Sequence, residues 1–244
     1  MSVWGKFGGA GIGWVLGGPL GALVGAMAGH FFIDENSFSK ADFPTEAPPH
    51  DVVFATGLVA LCAKMAKADG VVLRSEVEAF ESIIDISQLD RSKVEFLFRL
   101  AQTTTNGFEG YASQLASALR HEPALLEDIL DGLFYIAKAD HAIHEAELRF
   151  LKAVSQEFGF SESDFARISA RHIILADDPY VILGLERRMG DKELKQAYRR
   201  MVAEYHPDRE IARGLPPEAI KIATERLATI NAAWDRIAAE RQLK

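Results

Sequence analysis

Tyr205-His206-Pro207-Asp208-Arg209 decides how the C-terminal part of the chain is read, because the residues on either side of it form two helices that meet there. From Asp191 to Tyr205, the residues Leu194, Ala197, Tyr198, Met201, Val202 and Tyr205 recur at helical spacing, with Asp191 suited to the N-cap. The opposite face carries Lys192, Lys195, Arg199 and Arg200, a basic stripe suited to an acidic partner. Pro207 cannot continue that helix and pushes His206 toward extended backbone, so an exposed turn is expected at His206-Pro207-Asp208. A second amphipathic helix begins near Pro216. Its Ile220, Ala223, Leu227, Ile230, Trp234 and Ile237 form a stripe fit to pack antiparallel on the first. Upstream, Pro179 to Leu185 reads as a short apolar turn ended by Gly184.

Three motifs thus stand in order: Pro-Tyr-x-Ile-Leu-Gly-Leu from Pro179, Leu-Lys-Gln-Ala-Tyr-Arg-Arg from Leu194, and Tyr-His-Pro-Asp-Arg from Tyr205. In this order and spacing they resemble the J domain, the co-chaperone module that activates DnaK-type chaperone ATPases. The resemblance covers about Asp177 to Ile237. It implies a partner-binding surface made of His206, Pro207 and Asp208 with Lys195, Tyr198, Arg199 and Arg200, no cofactor, and no bond chemistry by the chain itself. Glu204 stands where a basic residue is common, and the loop from Glu210 to Pro217 is longer than in familiar members. Cys-x-x-Cys repeats and a long Gly/Phe-rich linker are missing, and with them the zinc-binding and client-binding parts of the best-known J-proteins.

The 244 residues are 48% hydrophobic and 25% charged, ordinary for a globular chain. Of the net charge of −8, almost none falls on residues 177–244, which hold 13 Lys and Arg against 12 Asp and Glu. The remainder is acidic, which argues against nucleic acid as a partner. The single cysteine, Cys62, cannot form an intrachain disulfide.

Between Phe7 and Ile33 there are 27 residues without Asp, Glu, Lys or Arg. A bilayer-spanning helix needs about 20. Gly5, Gly9, Gly13, Gly17, Gly21, Gly25 and Gly29 recur every fourth residue, a Gly-x-x-x-Gly ladder that predicts close pairing of membrane helices and hence a homodimer. Pro19 is tolerable as a kink within a span. A cleavable signal peptide is the rival reading, with Ala26-Met27-Ala28 as the cleavage site, and a soluble glycine-rich tail is another. The length, the glycine content and Pro19 favour the span. Lys6 before the segment and Asp34-Glu35 after it place the N-terminus inside by charge counting. A working J domain requires the opposite, with the C-terminal domains in the cytoplasm.

Residues 34–50 carry Pro44, Pro48 and Pro49 and read as a linker. A repeat follows: Ala66-Lys67-Ala68-Asp69-Gly70-Val71-Val72 with Glu76 is echoed 71 positions on by Ala137-Lys138-Ala139-Asp140-His141-Ala142-Ile143 with Glu147. Apolar positions keep the offset, pairing Leu58 with Ile129, Met65 with Ile136, Phe80 with Leu151 and Ile83 with Val154. Two helix-loop-helix units packing about a pseudo-two-fold axis are expected. Helices are predicted near 52–68, 75–86, 91–105, 109–121, 124–139, 145–158 and 162–173. The repeat resembles the TerB-type tellurite-resistance domain over about residues 51–170. Asp69, Glu76, Asp140 and Glu147 have the carboxylate chemistry of a hard-cation site. The competing reading has each Asp ending a helix and each Glu starting the next, and it is favoured here. His141 and His144 with Glu145 and Glu147 read as exposed loop residues before they read as transition-metal ligands.

The expected fold is all-α: a Gly-rich membrane helix over 1–33, a linker over 34–50, a TerB-like bundle over 51–175 and a J-domain helical hairpin over 177–244. That order, with Trp4-Gly5-Lys6 and Gly29-His30 near the start, resembles the DjlA type of membrane-anchored J-protein. The resemblance implies a single-pass co-chaperone of the inner membrane. A second reading makes the protein an envelope-stress sensing or metal-binding adaptor built on the TerB-like domain, with an auxiliary J domain.

Overall fold

A computed structural model of the chain describes residues 18–23, 50–68, 74–83, 91–103, 107–139, 143–173 and 178–243. All regular elements among them are helical. The first bundle comprises α1 (His50–Ala68), α2 (Arg74–Ile83), α3 (Arg91–Thr103), α4 (Phe108–Ala118), α5 (Pro123–Ala137), α6 (Glu145–Glu157) and α7 (Glu162–Ala170). These agree with the predicted helices to within a turn at each end. The C-terminal unit comprises α8 (Pro179–Leu183), α9 (Asp191–Glu204), α10 (Pro207–Ala212) and α11 (Pro217–Arg241).

Helix α1 is the centre of the bundle. Val52 to Met65 are buried almost without interruption, because α3, α4, α5 and α6 all pack on it. Gly57 permits the closest of these approaches, since a Cβ at that position would collide with the side chain of Leu115 on α4. The repeat positions serve equivalent ends: Leu58 and Ile129, Met65 and Ile136, Ile83 and Val154 are all buried, and Phe80 packs at the edge of the core that holds Leu151. Burial pushes the Cys62 thiol up, so it stays protonated and unreactive.

A helical turn over 19–23 also lies on this bundle. Leu20 and Leu23 enter its core, and the Leu20 N–H donates to Gln114 Oε1 at 2.8 Å. Pro19, expected as a kink within a span, opens this turn instead. Among the described residues no helix is long and apolar enough to cross a membrane. Of the glycine ladder only Gly21 is described, half-buried in the turn; Gly5, Gly9, Gly13, Gly17, Gly25 and Gly29 lie outside the described residues.

The C-terminal unit has its own small core of Tyr180, Leu183, Leu194, Ile230, Ala233 and Ile237. Asp178 caps α8 by accepting from the Tyr180 N–H at 2.9 Å, and Gly184 ends it at φ +64°, the left-handed conformation that favours glycine. Gly190, not Asp191, is the N-cap of α9. Glu193 decides this by accepting from the Gly190 N–H at 3.0 Å, which draws Asp191 into the first turn.

Candidate functional site

Helix α9 ends at Glu204, and the backbone of His206 is extended at φ −73°, ψ 129°, as a following proline requires. The turn is more ordered than a bare helix stop. His206 is the N-cap of α10, with Nδ1 accepting from the Asp208 N–H at 3.3 Å, and Pro207 occupies the first helical position. The longer loop is therefore partly helix. His206 is 46% exposed and Asp208 81% exposed, and the imidazole and carboxylate lie 3.5 Å apart on the same side of the turn. A ring nitrogen and a carboxylate thus face solvent on a short, proline-braced segment, ready to hydrogen-bond to a partner protein.

The other expected surface residues divide. Arg199 and Arg200 are exposed on α9, and Lys195 is half-buried. Asp191, Lys192, Lys195, Gln196 and Arg199 line an open depression of about 350 Å³. Tyr198 is committed to its own domain. Its ring stacks on Trp234 at 4.5 Å and its hydroxyl donates to Asn231 Oδ1 at 3.0 Å.

Beneath the turn lies a charged cluster that periodicity does not reveal. Tyr205, adjacent to His206, is half-buried, with Arg226 of α11 over its ring at 4.2 Å and its hydroxyl donating to Glu127 Oε2 of α5 at 3.4 Å. Burial, then Glu127, pushes the phenol up, so it stays a neutral donor. Arg167 makes a forked pair with Glu127 at 2.7 and 2.9 Å. Arg171 bridges Glu127 and Asp131, reaching Asp131 Oδ2 at 2.6 Å. Burial would raise Glu127, but Arg171 and Arg167 overcome it and hold its carboxyl far below the usual range; Arg171 and His172 lower Asp131 against its burial. His172 Nε2 lies 2.7 Å from Asp131 Oδ1, and its ring stacks on Phe134. Burial pushes the imidazole down, so Asp131 accepts from a neutral ring. The signal in the sequence was Glu127, Asp128 and Asp131 set within the apolar run from Leu125 to Phe134.

Of the four acids of the cation hypothesis, only Glu147 has a described side chain. Asp69 and Asp140 lie outside the described residues, as does the side chain of Glu76. Glu147 is buried in the first turn of α6 and accepts from the His144 N–H at 2.8 Å, a helix-start role. Among the described residues no group of three or more His, Cys, Asp or Glu is placed to hold a metal ion.

Comparison with known families resolves the order of the parts. Residues 1–41 match the co-chaperone DjlA transmembrane domain, residues 55–170 the tellurite resistance protein TerB, and residues 178–242 the DnaJ domain. Proteins named co-chaperone protein DjlA are similar along the full length: 27% identical over 96% of both chains in Coxiella burnetii, 28% over the whole of both in Shewanella oneidensis, and 23% over the whole of both in Escherichia coli. These are the domains of a DjlA-type co-chaperone, in that order. No solved structure matches the chain. The domains and these full-length relatives make it a membrane-anchored J-domain co-chaperone. Helices α1 to α7 span its TerB domain, and α8 to α11 its J domain.

Proposed function

We propose that this co-chaperone stimulates ATP hydrolysis by a DnaK-type chaperone through His206-Pro207-Asp208, from the cytoplasmic face of the inner membrane. The observation that carries the reading is the exposed, proline-braced turn with His206 and Asp208 on one side of it. Docking rests on Lys195, Arg199 and Arg200, so it weakens as salt screens the attraction. Tyr198 contributes by holding α9 against α11, since its ring and hydroxyl are engaged there.

The test is single-turnover ATP hydrolysis by the chaperone against concentration of the full chain in detergent micelles. His206→Gln keeps polarity and size but removes the ring, and it is expected to abolish stimulation with an unchanged melting curve. Lys195→Ala with Arg199→Ala is expected to raise the half-maximal concentration and leave the plateau. Stimulation by His206→Gln equal to the parent would sink the reading.

The glycine ladder is proposed to pair two copies in the membrane. Gly13→Leu with Gly17→Leu, which spares the turn at Gly21 seated on the bundle, should lower the dimer signal in a membrane association assay, and an unchanged signal would rule the pairing out.

A further inference from the structure

The J domain is not free of the TerB domain. Leu215, Ala219 and Ile222 join the core of the TerB bundle and not that of their own hairpin. Gly132 of α5 faces Ile222 so closely that a Cβ there would stand 2.9 Å from Ile222 Cδ1. Beside this apolar contact Arg226 Nη1 meets Asp128 Oδ1 at 2.9 Å, and both side chains are 0% exposed. The contact is close but not aligned as a hydrogen bond, and neither Asp128 oxygen finds another donor. A buried ion pair of this quality returns little stability, because desolvation offsets the attraction. What it does supply is register: Arg226 is tolerated at this depth only where the acids of α5 stand opposite, Asp128 in contact with it and Glu127 and Asp131 adding to the attraction.

The same guanidinium covers the ring of Tyr205, the residue that precedes His206. At the end of α10, Arg213 pairs with Glu122 at 3.0 Å, and Glu122 and Pro123 share an open groove of about 440 Å³ with Arg200, Glu204 and Arg209. The TerB surface therefore runs on directly beside the turn.

We propose that Asp128 and Arg226 are positioning residues that lock the J domain onto α5 and, through Tyr205, fix the direction in which His206-Pro207-Asp208 is presented. The partner chaperone then meets a two-domain surface. The chaperone part of this inference rests on the function proposed above; the docking part does not.

The test uses the full chain in detergent micelles with spin labels on cysteines placed at the exposed positions Gln156 and Ala239. Double electron–electron resonance of the parent is expected to give one narrow distance. Asp128→Leu strands the Arg226 charge, so it should broaden the distribution and raise the half-maximal concentration for chaperone stimulation on the order of tenfold. Adding Arg226→Met removes the stranded charge and should recover stability, but with the pair and the cover on Tyr205 gone the distance should stay broader than in the parent. A parent-narrow distance in the double variant overturns the positioning role of the pair. Gly132→Leu wedges Ile222 away without altering any charge and should reproduce Asp128→Leu; it carries the test if Asp128→Leu fails to fold. A narrow distance in Gly132→Leu overturns the docking. A broadened distance with parent-like half-maximal concentration overturns the positioning role. If the parent chain itself gives no stimulation, the proposed function falls while the distances still decide the docking.

Discussion

Helix α11 buries its C-terminal half and its N-terminal half against different neighbours. Ile230, Ala233 and Ile237 turn toward the hairpin, where Trp234 stacks on Tyr198. Ala219, Ile222 and Arg226 turn toward the TerB domain. The first contact is apolar and aromatic, and it joins residues of one hairpin. The second joins residues about a hundred positions apart, among them charges at 0% exposure. Apolar surface accepts many neighbours, whereas a buried Arg226 accepts only a surface whose acids answer its charge. A contact within a hairpin is limited by the chain to few arrangements; one between domains needs a further device to select a single arrangement.

The largest effect separating the two halves should come from truncating each core. Ile237→Ala is expected to cost about 3 kcal/mol and Ile222→Ala about 2 kcal/mol, since Ile237 is enclosed while Ile222 faces a glycine across a domain boundary. Urea unfolding followed by circular dichroism measures both. A larger loss for Ile222→Ala would make docking, and not the hairpin, the principal support of α11.

A smaller effect sharpens the comparison through pH. The His172 imidazole is held below its ordinary value chiefly by burial, so the folded state prefers the neutral ring and the unfolded state takes up protons first. Its contribution is present above about pH 6.5 and is lost as pH falls from there toward the folded value. Glu127 and Asp131, held low, lose theirs only in stronger acid; Asp128 and Glu210, raised by burial, act in the opposite direction. The melting advantage of the parent over His172→Gln should therefore shrink by a few degrees between pH 7 and pH 5. A constant difference across that range would show that His172 keeps its ordinary titration in the fold.

The sequence revealed the docking half of α11 far less clearly than the hairpin half. Helical spacing from Ile220 to Ile237 described one stripe, and its C-terminal members Ile230 and Ile237 are buried as expected. Toward the N-terminal end the buried face shifts to Ala219, Ile222 and Arg226, leaving Ile220 and Leu227 half-exposed. A single period cannot report two targets at different angles around one helix. Arg226, Glu127, Asp128 and Asp131 are of types that ordinarily stay solvated, and only the structure shows all four enclosed. The turn at His206 was legible because proline constrains its backbone locally, whatever packs nearby. The repeat was legible because its offset of 71 is kept at apolar positions.

The buried Ala219 and Ile222 have a consequence for how the protein breathes. Amide hydrogens exchange with solvent at rates set by the opening of the cooperative unit that encloses them. Through its first turns α11 is enclosed by the TerB core, and through its last by the hairpin. One continuous helix thus belongs to two opening units. A local opening of the hairpin would fray α11 from its C-terminal end and stop near Arg226, leaving a stub of the J domain still seated on α5.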